Sequence, residues 1–218
     1  MIKNIYSILF ILLIPSFANS SDGDVAKYNS ISTLFGFKLS GSKISEVFEK
    51  FGFEDPKLHG EKHDLAEGCI KNTDASFGVV FITGNIHDYE TLYGYRLTDN
   101  PKSECLESKL LSFPEGYRIR LGSEVNDVIK VLGKPKMVSA EAVTWELNLK
   151  TLWDEPIIRN WNGKLGGEKY KKVVISRGEY HTVLIRAVFR INSLASFEVV
   201  DYSETDSYIE NINELTRH

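Results

Sequence analysis

Cysteine is nearly absent from this chain of 218 residues, with only Cys69 and Cys105. Neither stands near the N-terminus, so a bacterial lipid anchor has no acceptor thiol, and their separation is not the Cys-x-x-Cys spacing that a reactive pair would favour. Positive charge is also short: 26 Lys and Arg face 30 Asp and Glu, a formal net charge of −4. Nonspecific nucleic-acid binding needs clustered basic charge to displace counterions, and this balance argues against it. After residue 14 no apolar run approaches the roughly 20 residues that a membrane-spanning helix requires. Nucleophile and nucleotide motifs are missing as well. The chain has no Gly-x-Ser-x-Gly, no P-loop and no dinucleotide-binding glycine pattern, and Gly166-Gly167 is a turn doublet in a Lys-rich stretch.

What is present is an ordinary globular composition, 42% apolar, 26% charged and 11% aromatic. The length suits one large domain or two small ones. Residues 1–20 read as a secretory signal peptide. Lys3 is the basic start, residues 8–14 are a short apolar run broken by Pro15, and Ala18-Asn19-Ser20 supplies the small residues of a cleavage site. Removing it makes the net charge one unit more negative. The expected location is the periplasm or the exterior, where two cysteines are most simply one disulfide, Cys69–Cys105.

The chain also repeats itself at an interval of 81 residues. Gly41-Ser42-Lys43-Ile44-Ser45-Glu46-Val47-Phe48-Glu49-Lys50-Phe51-Gly52 aligns without a gap to Gly122-Ser123-Glu124-Val125-Asn126-Asp127-Val128-Ile129-Lys130-Val131-Leu132-Gly133. Each copy has the pattern of a short amphipathic helix. Apolar residues recur at i, i+3, i+4 and i+7, Ser42 and Ser123 stand as N-cap candidates, and Gly52 and Gly133 stand where a left-handed backbone ends a helix, with Pro56 and Pro135 beyond. A helix this short is marginal alone and must pack on something. Strand-like segments follow each copy, at residues 69–72, 77–83 and 91–97, then 142–152, 171–176, 182–191 and 197–202. Trp145, Leu147 and Leu149 alternate with Glu146, Asn148 and Lys150, one face dry and one wet. Gly84-Asn85, residues 163–167 and Arg177-Gly178 read as turns.

The segment Tyr117-Arg118-Ile119-Arg120-Leu121-Gly122-Ser123 through Leu132-Gly133-Lys134-Pro135, with Trp145 in a following strand, resembles the SmpA/OmlA domain of BamE-type outer-membrane lipoproteins. The tandem arrangement is similar to the β-lactamase-inhibitor-protein family. The first half departs from the motif, since Phe53-Glu54-Asp55 separates Gly52 from Pro56, and the missing lipobox cysteine means that membrane anchoring does not carry over. The resemblance implies an α+β fold of two repeats, each a short helix plus antiparallel strands, forming one continuous curved sheet with helices on one face. It also implies a fold used for binding other envelope proteins. The expected organisation is a linker over residues 21–35, repeats over 36–116 and 117–203, and an acidic tail over 204–218 that is either helical from Asp206 to Arg217 or frayed.

A search for chemistry finds little. His59 and His63 lack the order of a zinc-protease motif and flank Gly60, His87-Asp88 reads as turn polarity, His181 lies among strand residues, and His218 is terminal. These residues predict no metal, no cofactor and no catalytic group. The aromatics are more suggestive. Trp153 and Trp161, with Arg159, Tyr170 and Tyr180, are the candidate protein-binding residues, because large rigid side chains with a polar rim anchor interfaces; Trp145 is expected in the core. The leading expectation is an exported, non-enzymatic binder of an envelope or secreted protein, of inhibitor, immunity or assembly-accessory type. The alternatives are a small-ligand or glycan binder with Trp153 and Trp161 along a groove, and an exported hydrolase whose histidines or carboxylates converge only in the fold.

Overall fold

The computed structural model describes residues 22–59, 65–84, 90–165 and 168–211; the expected signal peptide lies outside them. The chain opens with α1 (Asp22–Ile31), a small ribbon of β1 (Thr33–Leu34) and β2 (Phe37–Lys38), and α2 (Ile44–Lys50). A meander of β3 (Glu67–Lys71), β4 (Gly78–Thr83) and β5 (Leu92–Thr98) follows, then β6 (Leu106–Glu107) and α3 (Val125–Leu132). The chain continues through β7 (Met137–Val138) into three long strands, β8 (Val143–Leu165), β9 (Glu168–Arg190) and β10 (Ser193–Asn211). The architecture is α+β, with three helices and a sheet of eight strands in the order β6-β3-β4-β5-β10-β9-β8-β7. Neighbouring strands are antiparallel except β3 and β6, which run parallel. That exception lies where the Cys69–Cys105 disulfide, with Cα atoms 4.8 Å apart, brings the start of β6 beside β3.

Strand alternation turns one side of the sheet into the core. Phe81, Tyr95, Val199, Ile185 and Trp145 form one row across β4, β5, β10, β9 and β8, and all are buried. All three helices pack on this side. Phe48 of α2 meets Phe81 with ring centroids 5.9 Å apart, the Trp145 indole donates to the Gly133 carbonyl at the end of α3 at 2.9 Å, and Tyr28 of α1 reaches Asp201 of β10. The stripes face the core: Ile44, Val47, Phe48 and Phe51 are buried, as are Val128 and Leu132, while Val125 and Ile129 are half-buried. Gly52 and Gly133 adopt φ of 90° and 76° at the helix ends.

Several expectations are corrected. Residues 21–35 are not a linker, because α1 buries Tyr28 and Ile31 on the sheet. Ser42 and Ser123 do not cap the helices. The N-cap residues are Lys43 and Glu124, and the serine hydroxyls accept the backbone N–H of Lys38 at 2.9 Å and of Arg120 at 3.3 Å, so the preceding turn claims them. Arg177-Gly178 is no turn; it lies inside β9, which fuses the two strands expected on either side of it. The acidic tail is neither helical nor frayed as far as Asn211, because β10 continues to that residue against β9.

Candidate functional site

The sheet face opposite the helices is wet and charged. Arg96 on β5 donates to Glu198 on β10 at 2.8 Å and to Glu67 on β3 at 2.9 Å, and exposed Arg186 stands opposite Glu198 in the β9–β10 ladder. Lys136 pairs with Glu146, whose other oxygen accepts from Asn148 at 3.1 Å. Lys150 on β8 lies over the Tyr180 ring, with Nζ 4.6 Å from the centroid. Leu184 and Met137 are exposed on the same side and line, with Arg186 and Glu198, a cavity of about 370 Å³.

The long strands outrun the rest of the sheet. The β5–β10 pairing stops at Val200, whereas β8, β9 and β10 run on together past a set of register shifts. In β8 the shift falls between Leu152 and Ile157, in β9 Arg177 drops out between Ser176 and Gly178, and in β10 the shift lies between Asp206 and Ser207. Gly178 is required there: a Cβ built on it would stand 2.1 Å from the Thr151 carbonyl oxygen, so the strands close up only against a residue without a side chain. Bulges of this kind bend a sheet and turn the strand segments beyond them in a new direction. Past the break lies a three-stranded arm of residues 157–165, 168–176 and 207–211.

The aromatic candidates divide around that break. Trp153 sits in the β8 bulge, half-buried, and Tyr180 lies on the body side of it, opposite Lys150. Arg159, Trp161 and Tyr170 stand in the arm's ladder opposite Val174, Lys172 and Gly163. The sequence reading missed the aliphatic residues beside them: Leu152, Ile157 and Ile158 are 64%, 43% and 62% exposed. Adjacent apolar residues in a strand point to opposite faces, so the pair Ile157-Ile158 leaves both sides of the arm apolar at its base. The signal was there, as an unalternated Pro-Ile-Ile after two acids, though nothing local said which neighbours would fail to cover it.

A second cluster joins residues far apart in the chain. Asp201 is fully buried, accepts from the Tyr28 hydroxyl at 2.6 Å, and lies 3.0 Å from Nδ1 of His181. On the other ring nitrogen, Nε2, Glu179 lies 3.5 Å away. The Asp201 hydrogen bond, reinforced by the two negative charges and opposed by burial, raises the pKa of His181 above its ordinary value. Burial and the Asp201 carboxylate push the Tyr28 hydroxyl strongly upward. The Tyr28–Asp201 hydrogen bond ties α1 to the sheet, with the Tyr28 ring 5.4 Å from the His181 imidazole. Neither Tyr28 nor Asp201 was picked out from the sequence, because each is an unremarkable residue until the fold brings them together.

His59 is exposed, in an isolated bridge to Glu67; His63, His87 and His218 lie outside the described residues. Among the described residues no group of three or more His, Cys, Asp or Glu could hold a metal, and no helix is long and apolar enough to cross a membrane. The chain matches no protein-family model, no curated protein and no solved structure.

Proposed function

We propose that the chain is an exported, non-enzymatic module of the bacterial envelope that binds another protein, of inhibitor, immunity or assembly-accessory type. The observation that carries this reading is the arm's base, where Leu152, Ile157 and Ile158 are solvent-exposed around half-buried Trp153. Apolar residues of this size gathered beside an aromatic are what a partner covers. The disulfide is compatible with export.

The tandem reading belongs to the same proposal and has support in matched details. The residue before α2 bridges the start of β5 (Lys43 to Thr91), and the residue before α3 bridges the start of β10 (Glu124 to Ser193). Leu92 N–H donates to the Ser42 carbonyl at 2.9 Å and Leu194 N–H to the Ser123 carbonyl at 2.8 Å. α2 is followed by the meander β3-β4-β5 and α3, after the short β7, by β8-β9-β10, and the two sets meet at β5 and β10.

The test is capture from envelope and secreted extracts with the purified chain as bait and its Ile158→Asp variant as control. A stoichiometric partner that is lost with the variant, while the melting temperature stays unchanged, supports the reading. A partner held equally by both removes the arm from it, and a blank with every extract overturns it.

A further inference from the structure

One row of side chains on the wet face leaves a cation over. Met137, Thr144, Arg186, Glu198 and Arg96 stand side by side across β7, β8, β9, β10 and β5. Arg96 takes Glu198 at 2.8 Å and reaches on to Glu67 at 2.9 Å, so the carboxylate beside Arg186 is claimed from its far side. Among the described residues no ion pair and no hydrogen bond engages the exposed Arg186 guanidinium. Apolar side chains adjoin it. Met137 is 54% exposed and Leu184, two residues before Arg186 on the same face of β9, is 42% exposed. These three residues line the cavity of about 370 Å³ described above, and the two acids that also line it, Glu198 and Glu146, are each held by a cation of their own, Arg96 and Lys136.

We propose that this cavity binds a small aliphatic carboxylate, with Arg186 holding the carboxylate and Leu184 and Met137 covering the tail. A guanidinium offers parallel N–H donors that match both oxygens of a carboxylate, and the charge on each partner strengthens the pair. Removing Leu184 and Met137 from water adds the apolar gain, and the unbranched Met137 side chain adapts to a flexible tail. The volume lies at the small end of the range for ligand sites, roughly 300–1,000 Å³, which suits one short chain. The C-terminus of a peptide carries the same head group but brings amides that need partners of their own. A sheet face offers few: β9, which carries Leu184 and Arg186, spends its backbone groups there on β8 and β10. A hydrocarbon tail makes no such demand, and this favours the free acid.

Titration of the full chain with octanoate, followed by amide chemical shifts, tests the proposal. Saturable shifts are expected at Met137, Thr144, Leu184 and Arg186, with a Kd on the order of 0.1–1 mM, in keeping with so small a ligand. Arg186→Gln removes the cation and weakens binding about tenfold or more, and Leu184→Gln weakens it about fivefold or more. Both side chains are exposed, and circular dichroism checks that the variants are folded. Octylamine has a tail of the same length with the opposite charge, and acetate has the head group without the tail; each is expected to bind at least about tenfold more weakly than octanoate. The site is separate from the arm, so Ile158→Asp leaves octanoate binding unchanged. An absence of shifts up to about 10 mM overturns the proposal, as do shifts that map elsewhere, octylamine binding as tightly as octanoate, or Arg186→Gln binding like the wild type. A capped tetrapeptide with a free C-terminal leucine that binds more tightly than octanoate overturns the choice of a free acid.

Discussion

At the scale of single residues, the junction of Tyr28, His181 and Asp201 sets how the molecule responds to pH. A buried carboxylate without its donors retains a large desolvation cost, so removing the Tyr28 hydroxyl weakens α1 docking directly. Tyr28→Phe should lower stability by about 1.5–3 kcal/mol, the range for a hydrogen bond to a charged group, read from urea unfolding at neutral pH. The native state binds the His181 proton more tightly than the unfolded chain does, since the Asp201 hydrogen bond raises its pKa above the ordinary 6.5. The stability from this pair is therefore fully present below pH 6.5 and is lost as the pH rises through the elevated native value. Urea midpoints measured from pH 5.5 upward should fall in that window, and His181→Gln should flatten the fall. The sequence reading placed His181 correctly among strand residues. It had no access to Asp201, 20 positions on, or Tyr28, 153 positions back, because their proximity is a product of strand register and helix docking.

At the scale of elements, α2 and α3 were the most legible part, since a 3.6-residue stripe is a property of ten consecutive residues and needs no knowledge of what it packs on, whereas α1 lay in the stretch expected to be a linker. Caps were less so: Ser42 and Ser123 had two backbone partners within reach, and the turn before each helix holds them. The longer strands were recognised, with β8, β9 and β10 cut short, while the two-residue β1, β2, β6 and β7 were not. Arg177-Gly178 looks like punctuation along the chain, yet the glycine answers to a crowded neighbouring carbonyl and the strand runs on through it. Gly178→Ala should therefore destabilise the protein by about 1–3 kcal/mol, as overpacked sites do. Hydrogen exchange should show the loosening centred on residues 151–152 and 176–178. A neutral outcome would mean that the three strands do not close on one another there. The aromatic candidates were found by residue type, but their division into Trp153 at the break, Tyr180 on the body and Arg159, Trp161 and Tyr170 in the arm follows from the bulge.

At the scale of the whole molecule, one sheet edge is held by the disulfide and the opposite end of the sheet is β7 on β8. Cys69 and Cys105 close a loop of sequence separation 36 around β3, β4 and β5. Replacing both with alanine should cost about 3–4 kcal/mol in the chain-entropy account, measured as the loss in unfolding free energy under non-reducing conditions. The arm, formed by β8, β9 and β10 beyond the bulges, is where a partner protein is proposed. Composition, the two helical stripes, the alternation of Trp145 to Lys150 and the pairing of the only two cysteines follow from the sequence alone, because each depends on residue types or on the backbone geometry of near neighbours. The docking of α1, the seam between β5 and β10, the alignment of the bulges and the exposure of Leu152, Ile157 and Ile158 were decided only in the tertiary structure. Those features depend on which distant strands stand side by side and which surfaces are left without a neighbour, and local periodicity does not encode either.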